Sequence, residues 1–461
     1  MAHSATSRDD RTRALAIYVA DLDFEALPEK VVRAIKMSVL DTIGSGLFGS
    51  TTPWGEIMSR FAAAQAGPVA LWGKGAGTGA LHYVAMANAT MAHGFELDDL
   101  HPPSRSHPGA VMTPIPLGMS QSGRAISGRA MLTALAAGYE VQGRVGMSQG
   151  VSSFNRGWHP TGTAGSFGAA AATAKLLGLD AHHVQHALGT AGTMPAGLMA
   201  AQFGAMVKRL YVGHATWAGL VGAELAAAGF TGVHDIFDAG YGGYFDAVSD
   251  ESKPDLLIAG LGERFEAGNI GIKFYPCVGT NQSVLDAMND ILREHVFGAS
   301  DVEKIDIRTT AYQKLHSGWD YEPTSVMAAQ MSMQYCLAAL IIERKLFVEE
   351  FTPEKIIAPE AIALAKRITI TADETLDKTP GYERFSEAVV HLRNGAVLKG
   401  ARAISHGNPR DPADWREGEQ KFRALADGIA PPAQIDRIVE LVAGLETLPD
   451  IAPLAAALRI S

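Results

Sequence analysis

The spacing of apolar residues changes twice along this chain, and those two changes limit its possible folds more than any other feature. Within residues 29–48, Val32, Ile35, Val39, Ile43 and Leu47 recur at three- and four-residue steps, with charges opposite, which predicts an amphipathic helix. Similar stripes run through 131–139, 166–177 and 217–228, with alanine and glycine between the larger residues. Small residues let helix axes approach closely, so a tightly packed bundle is expected. After about Gly271 the period shortens: Ile305, Ile307 and Thr309 alternate with polar neighbours, as do Ile368 and Ile370. Residues 388–404 read strand, Asn394-Gly395, strand, a specific hairpin signal, and 324–345 reads as one helix between strands. Helical spacing returns in 411–460, with amphipathic stretches at 415–426 and 433–445. The expected fold is mainly α: a large all-helical domain built from both chain ends (1–269 and 405–461). An inserted α+β lid domain (270–404) would cover a site at the domain boundary.

Charge and cysteine usage narrow the chemistry. Lys plus Arg total 39 against 49 Asp plus Glu, a net −10, and no segment concentrates basic charge. The footprint for a phosphate backbone is missing, so no nucleic acid partner is expected. The two cysteines, Cys277 and Cys336, are too few for an iron–sulfur cluster or a disulfide framework, and they suit a reducing cytosol. The N-terminal stretch mixes charges of both signs without an apolar run, so no signal peptide is expected. Residues 186–207 lack formal charge but contain four glycines, Pro195, Gln202 and two threonines, which predicts a buried helical hairpin and no membrane span. A cytoplasmic protein is expected.

Four segments carry candidate chemistry. A fifth, Gly75-Ala-Gly77-Thr-Gly79-Ala80, fits a loose dinucleotide fingerprint. Only four residues of strand-like sequence precede it and no βαβ alternation follows, so a connection between bundle helices is the better account. The densest polar cluster runs from Glu96 through Asp98, Asp99, His101, Ser104 and Arg105 to His107-Pro108-Gly109. Three carboxylates and two histidines within these twelve residues, 96–107, are compatible with a solvated loop, a metal site or general acid–base work. No His-x-x-x-His helix pair supports the metal. The His-Pro steps stiffen the loop, as acid–base groups require. Next comes Arg156-Gly-Trp-His159-Pro160-Thr161-Gly-Thr163, where Arg156 and His159 precede a helix N-terminus that favours an anion; a plain threonine cap is the alternative. Finally, Lys208-Arg209 and Lys273 emerge from long apolar runs. A lysine there is costly to bury unless it meets an anion, although snorkelling to the surface is the alternative. Together these cations suit a di- or tricarboxylate.

These segments, with Lys208-Arg209-Leu-Tyr-Val-Gly213, Ile272-Lys273-Phe-Tyr-Pro-Cys277 and Gly407-Asn-Pro-Arg-Asp411, stand in one order. That order resembles the MmgE/PrpD (2-methylcitrate dehydratase) family, which also includes cis-aconitate decarboxylase and iminodisuccinate epimerase. The resemblance implies a homodimer without metal or other cofactor, acting at the domain boundary. It assigns site roles to Glu96, His107, His159 and a lid tyrosine, Tyr321; Asp98 is a further catalytic candidate, with Glu96 or Asp98 orienting His107 as the base. Lys208 and Lys273 match its carboxylate-binding lysines, and Arg156 and His101 are further candidate substrate-binding residues. The chain departs from the decarboxylase-like pattern, with Leu100 in place of a threonine and Val278 in place of a histidine. A lyase of the dehydratase type acting on a small polycarboxylate through a carbanion is therefore expected. An epimerase or isomerase of an amino- or imino-dicarboxylate, a cis-aconitate-type decarboxylase and a non-catalytic carboxylate-binding protein are the alternatives.

Overall fold

In the computed structural model, which describes residues 11–381 and 383–460, the chain divides into two compact units. The stretch 1–10, on which part of the signal-peptide reading rests, lies outside the described residues. The first unit takes in the chain up to Met199, Val207–Gly271 and the chain from Asp414 onward. The second takes in Ala200–Met206 and Ile272–Ala413.

The first unit is a helical bundle. Its main helices are α1 (Glu29–Gly49), α2 (Leu81–Ala92), α3 (Gly128–Asn155), α4 (Pro160–Leu177), α5 (Ala181–Ala191) and α6 (Val207–Ala227), joined by α7 (Trp415–Ala426) and α8 (Pro432–Ala443). The stripe Val32, Ile35, Val39, Ile43 and Leu47 is buried, as its spacing demands. Glycines set the distances between helices. A Cβ on Gly213 of α6 would stand 2.3 Å from the Met86 carbonyl oxygen on α2, and one on Gly219 would stand 2.4 Å from the Ala170 nitrogen on α4. Helix α6 therefore touches both neighbours. Its first turn, with Lys208 and Arg209, reaches the loop that follows α2.

The glycine-rich stretch near residue 75 is a small hairpin: Val69–Ala70 pairs antiparallel with Thr78–Gly79, and Gly73–Lys74 pairs with Arg459–Ile460. Positive φ at Gly73, Gly75 and Gly77 makes these tight turns, so the glycines serve chain reversal. The uncharged stretch 186–207 is not the expected helical hairpin. Helix α5 ends before Gly192, Pro195 and Gly197 (φ +115°) prevent a second helix from starting, and only a 3₁₀ turn, Met199–Phe203, follows. Among the described residues no helix is long and apolar enough to cross a membrane.

The second unit carries a four-stranded sheet of β1 (Val302–Thr309), β2 (Ile368–Ala372), β3 (Ser386–Leu392) and β4 (Val397–Arg402), in the order β2-β1-β3-β4. Strands β1 and β2 are parallel, which requires the helical crossover between them, whereas β3 and β4 form the antiparallel hairpin that Asn394-Gly395 foretells. The helix expected over 324–345 is two, Val326–Met331 and Met333–Glu343, because extended Ser332 interrupts the first and caps the second at the Tyr335 N–H. The return to the helical unit falls at Asp414, beyond the expected residue 405. The Ile272 N–H donates to the Gly407 carbonyl (2.8 Å) and the His406 N–H to the Asp286 carboxylate (2.7 Å), which holds this segment in the second unit.

Replacing Gly219 with valine tests the close approach of α6 and α4. Overpacking against backbone should lower the stability of the protein in urea by about 1–3 kcal/mol. A midpoint equal to that of the parent would contradict the packing described.

Candidate active site

Two His-Pro steps build the site in the first unit. Helix α2 ends at His93, and a turn of fourteen residues, 94–107, leads to the short helix Pro108–Met112. His107 is the residue before Pro108, and His159 the residue before Pro160 at the start of α4. Proline fixes the first helical position and keeps the preceding residue out of the helical region, so each imidazole leaves its helix from a defined backbone. Both rings are buried, as is His93. The ring of His93 lies 4.8 Å from that of His107 and 5.8 Å from that of His159.

Asp98 joins two of these rings. His93 Nδ1 lies 2.8 Å from Asp98 Oδ2, and His107 Nδ1 lies 3.3 Å from the same oxygen. His107 Nδ1 also lies 2.6 Å from the Asp99 carbonyl oxygen. A carbonyl only accepts, so His107 carries its proton on Nδ1 and keeps Nε2 as its basic nitrogen. His93, donating to the carboxylate, has the same tautomer. Candidate ligand atoms of His93, Asp98 and His107 lie within 4.8 Å of one another, the composition of a metal centre. As arranged, however, both Nδ1–H groups point at Asp98, where lone pairs facing a cation would be needed. The geometry is that of a carboxylate orienting two imidazoles.

Glu96 faces the other way. Its backbone is left-handed (φ +57°), unusual outside glycine, and this turns its carboxylate away from Asp98. Glu96 accepts a hydrogen bond from Lys208 Nζ, and Arg209 Nη1 lies 3.7 Å away, its guanidinium 4.3 Å above the Trp54 ring. All three charged side chains are buried. Burial lowers the Arg209 pKa to about 10, which leaves it cationic at neutral pH. His159 is held well below its ordinary value, first by burial and then by the charge of Lys208, so its ring is neutral. Its Nδ1 is buried and has no hydrogen-bond partner among the described residues.

Asp99 is set apart from both. It accepts from the Ser38 hydroxyl (2.8 Å) and the Gly109 N–H, and Ser38 is in turn 2.8 Å from the Tyr139 hydroxyl. Burial, then the charges of Asp98 and Asp41, raise its pKa well above 3.8.

Five residues expected from the sequence thus come together in the first unit: Glu96, Asp98, His107, His159 and Lys208. Two more in the same unit have other partners. Arg156 caps the end of α3 at the surface, 41% exposed, where it pairs with Asp250 (2.8 Å). His101 is buried with its Nδ1 2.7 Å from the Ser104 hydroxyl and its Nε2 3.4 Å from Glu266, contacts that brace the loop. Tyr321, in the second unit, donates its hydroxyl proton to the Ile356 carbonyl (2.7 Å). Lys273 is buried in the second unit. Sequence reasoning missed His93, which looked like one more residue of an apolar helix. Its position three residues before Glu96 was the available signal.

Comparison with known proteins bears on this arrangement. Residues 13–257 match the MmgE/PrpD N-terminal domain and residues 275–447 the MmgE/PrpD C-terminal domain. The cis-aconitate decarboxylase-like protein oryM of Aspergillus oryzae is 29% identical over 475 residues, covering 98% of each chain. Cis-aconitate decarboxylase of Aspergillus terreus is 27% identical over 465 residues (96% of this chain, 94% of the relative), and that of Homo sapiens 26% over 463 (97% and 94%). The chain belongs to the MmgE/PrpD family.

Asparagine mimics a protonated Asp99 and tests its state. A raised folded pKa contributes stability that is complete below the unfolded value and is lost as pH rises through the folded value. Asp99→Asn removes that component, so its Tm should fall less with rising pH than the parent's. Identical pH slopes would show that Asp99 is ionised in the folded protein.

Proposed function

We propose that this member of the MmgE/PrpD family is a cofactor-free lyase of the dehydratase type, acting on a small di- or tricarboxylate by α-proton abstraction. The observation that carries the reading is His107, whose Nδ1–H is held by the Asp99 carbonyl and the Asp98 carboxylate and whose Nε2 is the basic nitrogen. A carboxylate beside Nδ1–H stabilises the imidazolium that forms when Nε2 takes a proton. The proton taken is the one on the carbon next to a substrate carboxylate. The electron pair left on that carbon forms the carbon–carbon double bond as hydroxide leaves the neighbouring carbon. The departing oxygen needs a proton. His159 is neutral and Tyr321 is bonded to a carbonyl, so the imidazolium of His107 is the donor that balances the step.

Negative charge on the substrate is met by Lys208 and Arg209. Glu96 offsets one of these two cations and leaves the group net positive, as an anionic substrate requires. The neutral His159 before the N-terminus of α4 adds a polar group without competing charge. Lys273 keeps the carboxylate-binding role that the resemblance gives it. A cytoplasmic homodimer is the expected setting.

A second reading is favoured by the relatives, several of which are named cis-aconitate decarboxylases. Decarboxylation passes through a similar carbanion but then requires protonation of it. Leu100 and Val278, standing where the decarboxylase-like pattern has a hydroxyl and an imidazole, favour the dehydratase.

Proton NMR in deuterated water distinguishes these. Chelator-treated protein should convert a hydroxylated tricarboxylate, one of a citrate-, aconitate-, malate- and imino-dicarboxylate panel, to a product with a new vinyl signal. Loss of carbon dioxide from an aconitate-like acid would establish the decarboxylase instead. Deuterium at the α-carbon with an unchanged skeleton would establish an epimerase. His107→Ala should lower turnover by about 10²–10⁴-fold in a folded protein. Near-parental turnover would remove His107 from the role of base.

A further inference from the structure

The loop that carries Glu96 and Asp98 is held at its centre by a residue from the other end of the chain. Lys421 lies on α7, buried to 2% side-chain exposure, and its Nζ donates both to Asp41 of α1 and to the backbone carbonyl of Leu97, each at 2.5 Å. Leu97 sits between the two carboxylates. We propose that Lys421 is a positioning residue for the reaction: by holding the Leu97 carbonyl it keeps the left-handed turn at Glu96 in the shape that sends Glu96 toward Lys208 and Asp98 toward His93 and His107.

Three observations support this. First, Glu96 has φ +57°, a conformation that an L side chain occupies only where the surroundings over-determine it. Second, the turn is anchored by the Glu96 side chain on Lys208 and Arg209, the Asp98 side chain on His93 and His107, and the Leu97 carbonyl on Lys421. Of these, only the Lys421 contact acts on the backbone of the turn itself. Third, a buried ion pair adds little stability over a well-packed apolar pair of similar volume. The Lys421–Asp41 pair is therefore poorly explained as a stabilising device, whereas the donor to Leu97 is something that an apolar side chain could not supply.

Neutralising both partners separates the two roles. In Asp41→Asn/Lys421→Met no buried charge is left unpaired, so the protein should fold with a Tm near the parent's. Amide exchange of residues 95–100 should nevertheless accelerate about tenfold or more. kcat should fall about ten- to a hundredfold, with KM changed far less, because displaced catalytic groups cost turnover. Asp41→Asn/Lys421→Gln, which keeps an N–H donor, should recover part of both the protection and kcat, and serves as the folded comparison if the methionine variant is unstable. Parental protection and kcat in the methionine variant would overturn the proposal and leave Lys421 as the counter-ion of Asp41. The proposal rests on the site and reaction described above, but exchange needs no substrate. An inactive parent would count against the reaction alone, and unchanged protection at 95–100 against Lys421 alone.

Discussion

A single buried carboxylate oxygen, Oδ2 of Asp98, organises this molecule's chemistry. It faces the Nδ1 atoms of both His93 and His107, from opposite ends of the turn that links α2 to the helix after Pro108. It is buried, so water screens its charge on the two imidazoles far less than it would at the surface. Around that contact the bundle is built of small residues. The close approach of α6 to α2 and α4, permitted by Gly213 and Gly219, brings Lys208 and Arg209 beside the same loop.

Four acidic side chains lie within this buried region, and each is accommodated differently. Glu96 is met by Lys208 and Arg209. Asp98 is met by imidazole N–H groups. Asp99, between Asp98 and Asp41, has its pKa raised and takes its hydrogen bonds from Ser38 and the Gly109 backbone. Asp41 is paired with Lys421. Four carboxylates with one common fate would be a heavily repulsive cluster. Distinct partners instead separate the charges: Glu96 meets cations, Asp98 meets imidazoles, and His159 stays neutral. Such separation of protonation behaviour among neighbouring groups is what general acid–base chemistry needs.

Much of this was legible in the sequence, and the parts that were not have physical reasons. Glu96, Asp98 and His107 lie within one stiff loop, so local spacing nearly determines their proximity. His159 and Lys208 were legible because a His-Pro step and a buried lysine each break the local pattern. Arg156 broke the pattern in the same way, yet it faces Asp250 at the surface. Sequence spacing places a residue near a helix end but does not say toward which side of the bundle its side chain turns. Lys421 shows the opposite failure: it sits among charged neighbours on an amphipathic helix, and its buried partners, Asp41 and Leu97, are more than three hundred residues distant in sequence. Tyr321 was matched through the resemblance with loose spacing, and in the structure its hydroxyl serves Ile356. The mainly helical fold with one four-stranded sheet followed directly from the change in apolar period, because burial of a helix stripe or of a strand face enforces that period.

His107 holds its proton on Nδ1, against the Asp99 carbonyl, and leaves Nε2 as its basic nitrogen. Nitrogen-15 NMR of the protein labelled at histidine, with the His107 signals assigned from the His107→Ala variant, reads this tautomer directly. At neutral pH His107 should carry its hydrogen on Nδ1, with an unprotonated Nε2. A neutral His107 with its hydrogen on Nε2 would contradict it, since that ring would turn a lone pair toward the Asp98 carboxylate and the Asp99 carbonyl and would have no basic nitrogen to offer a substrate.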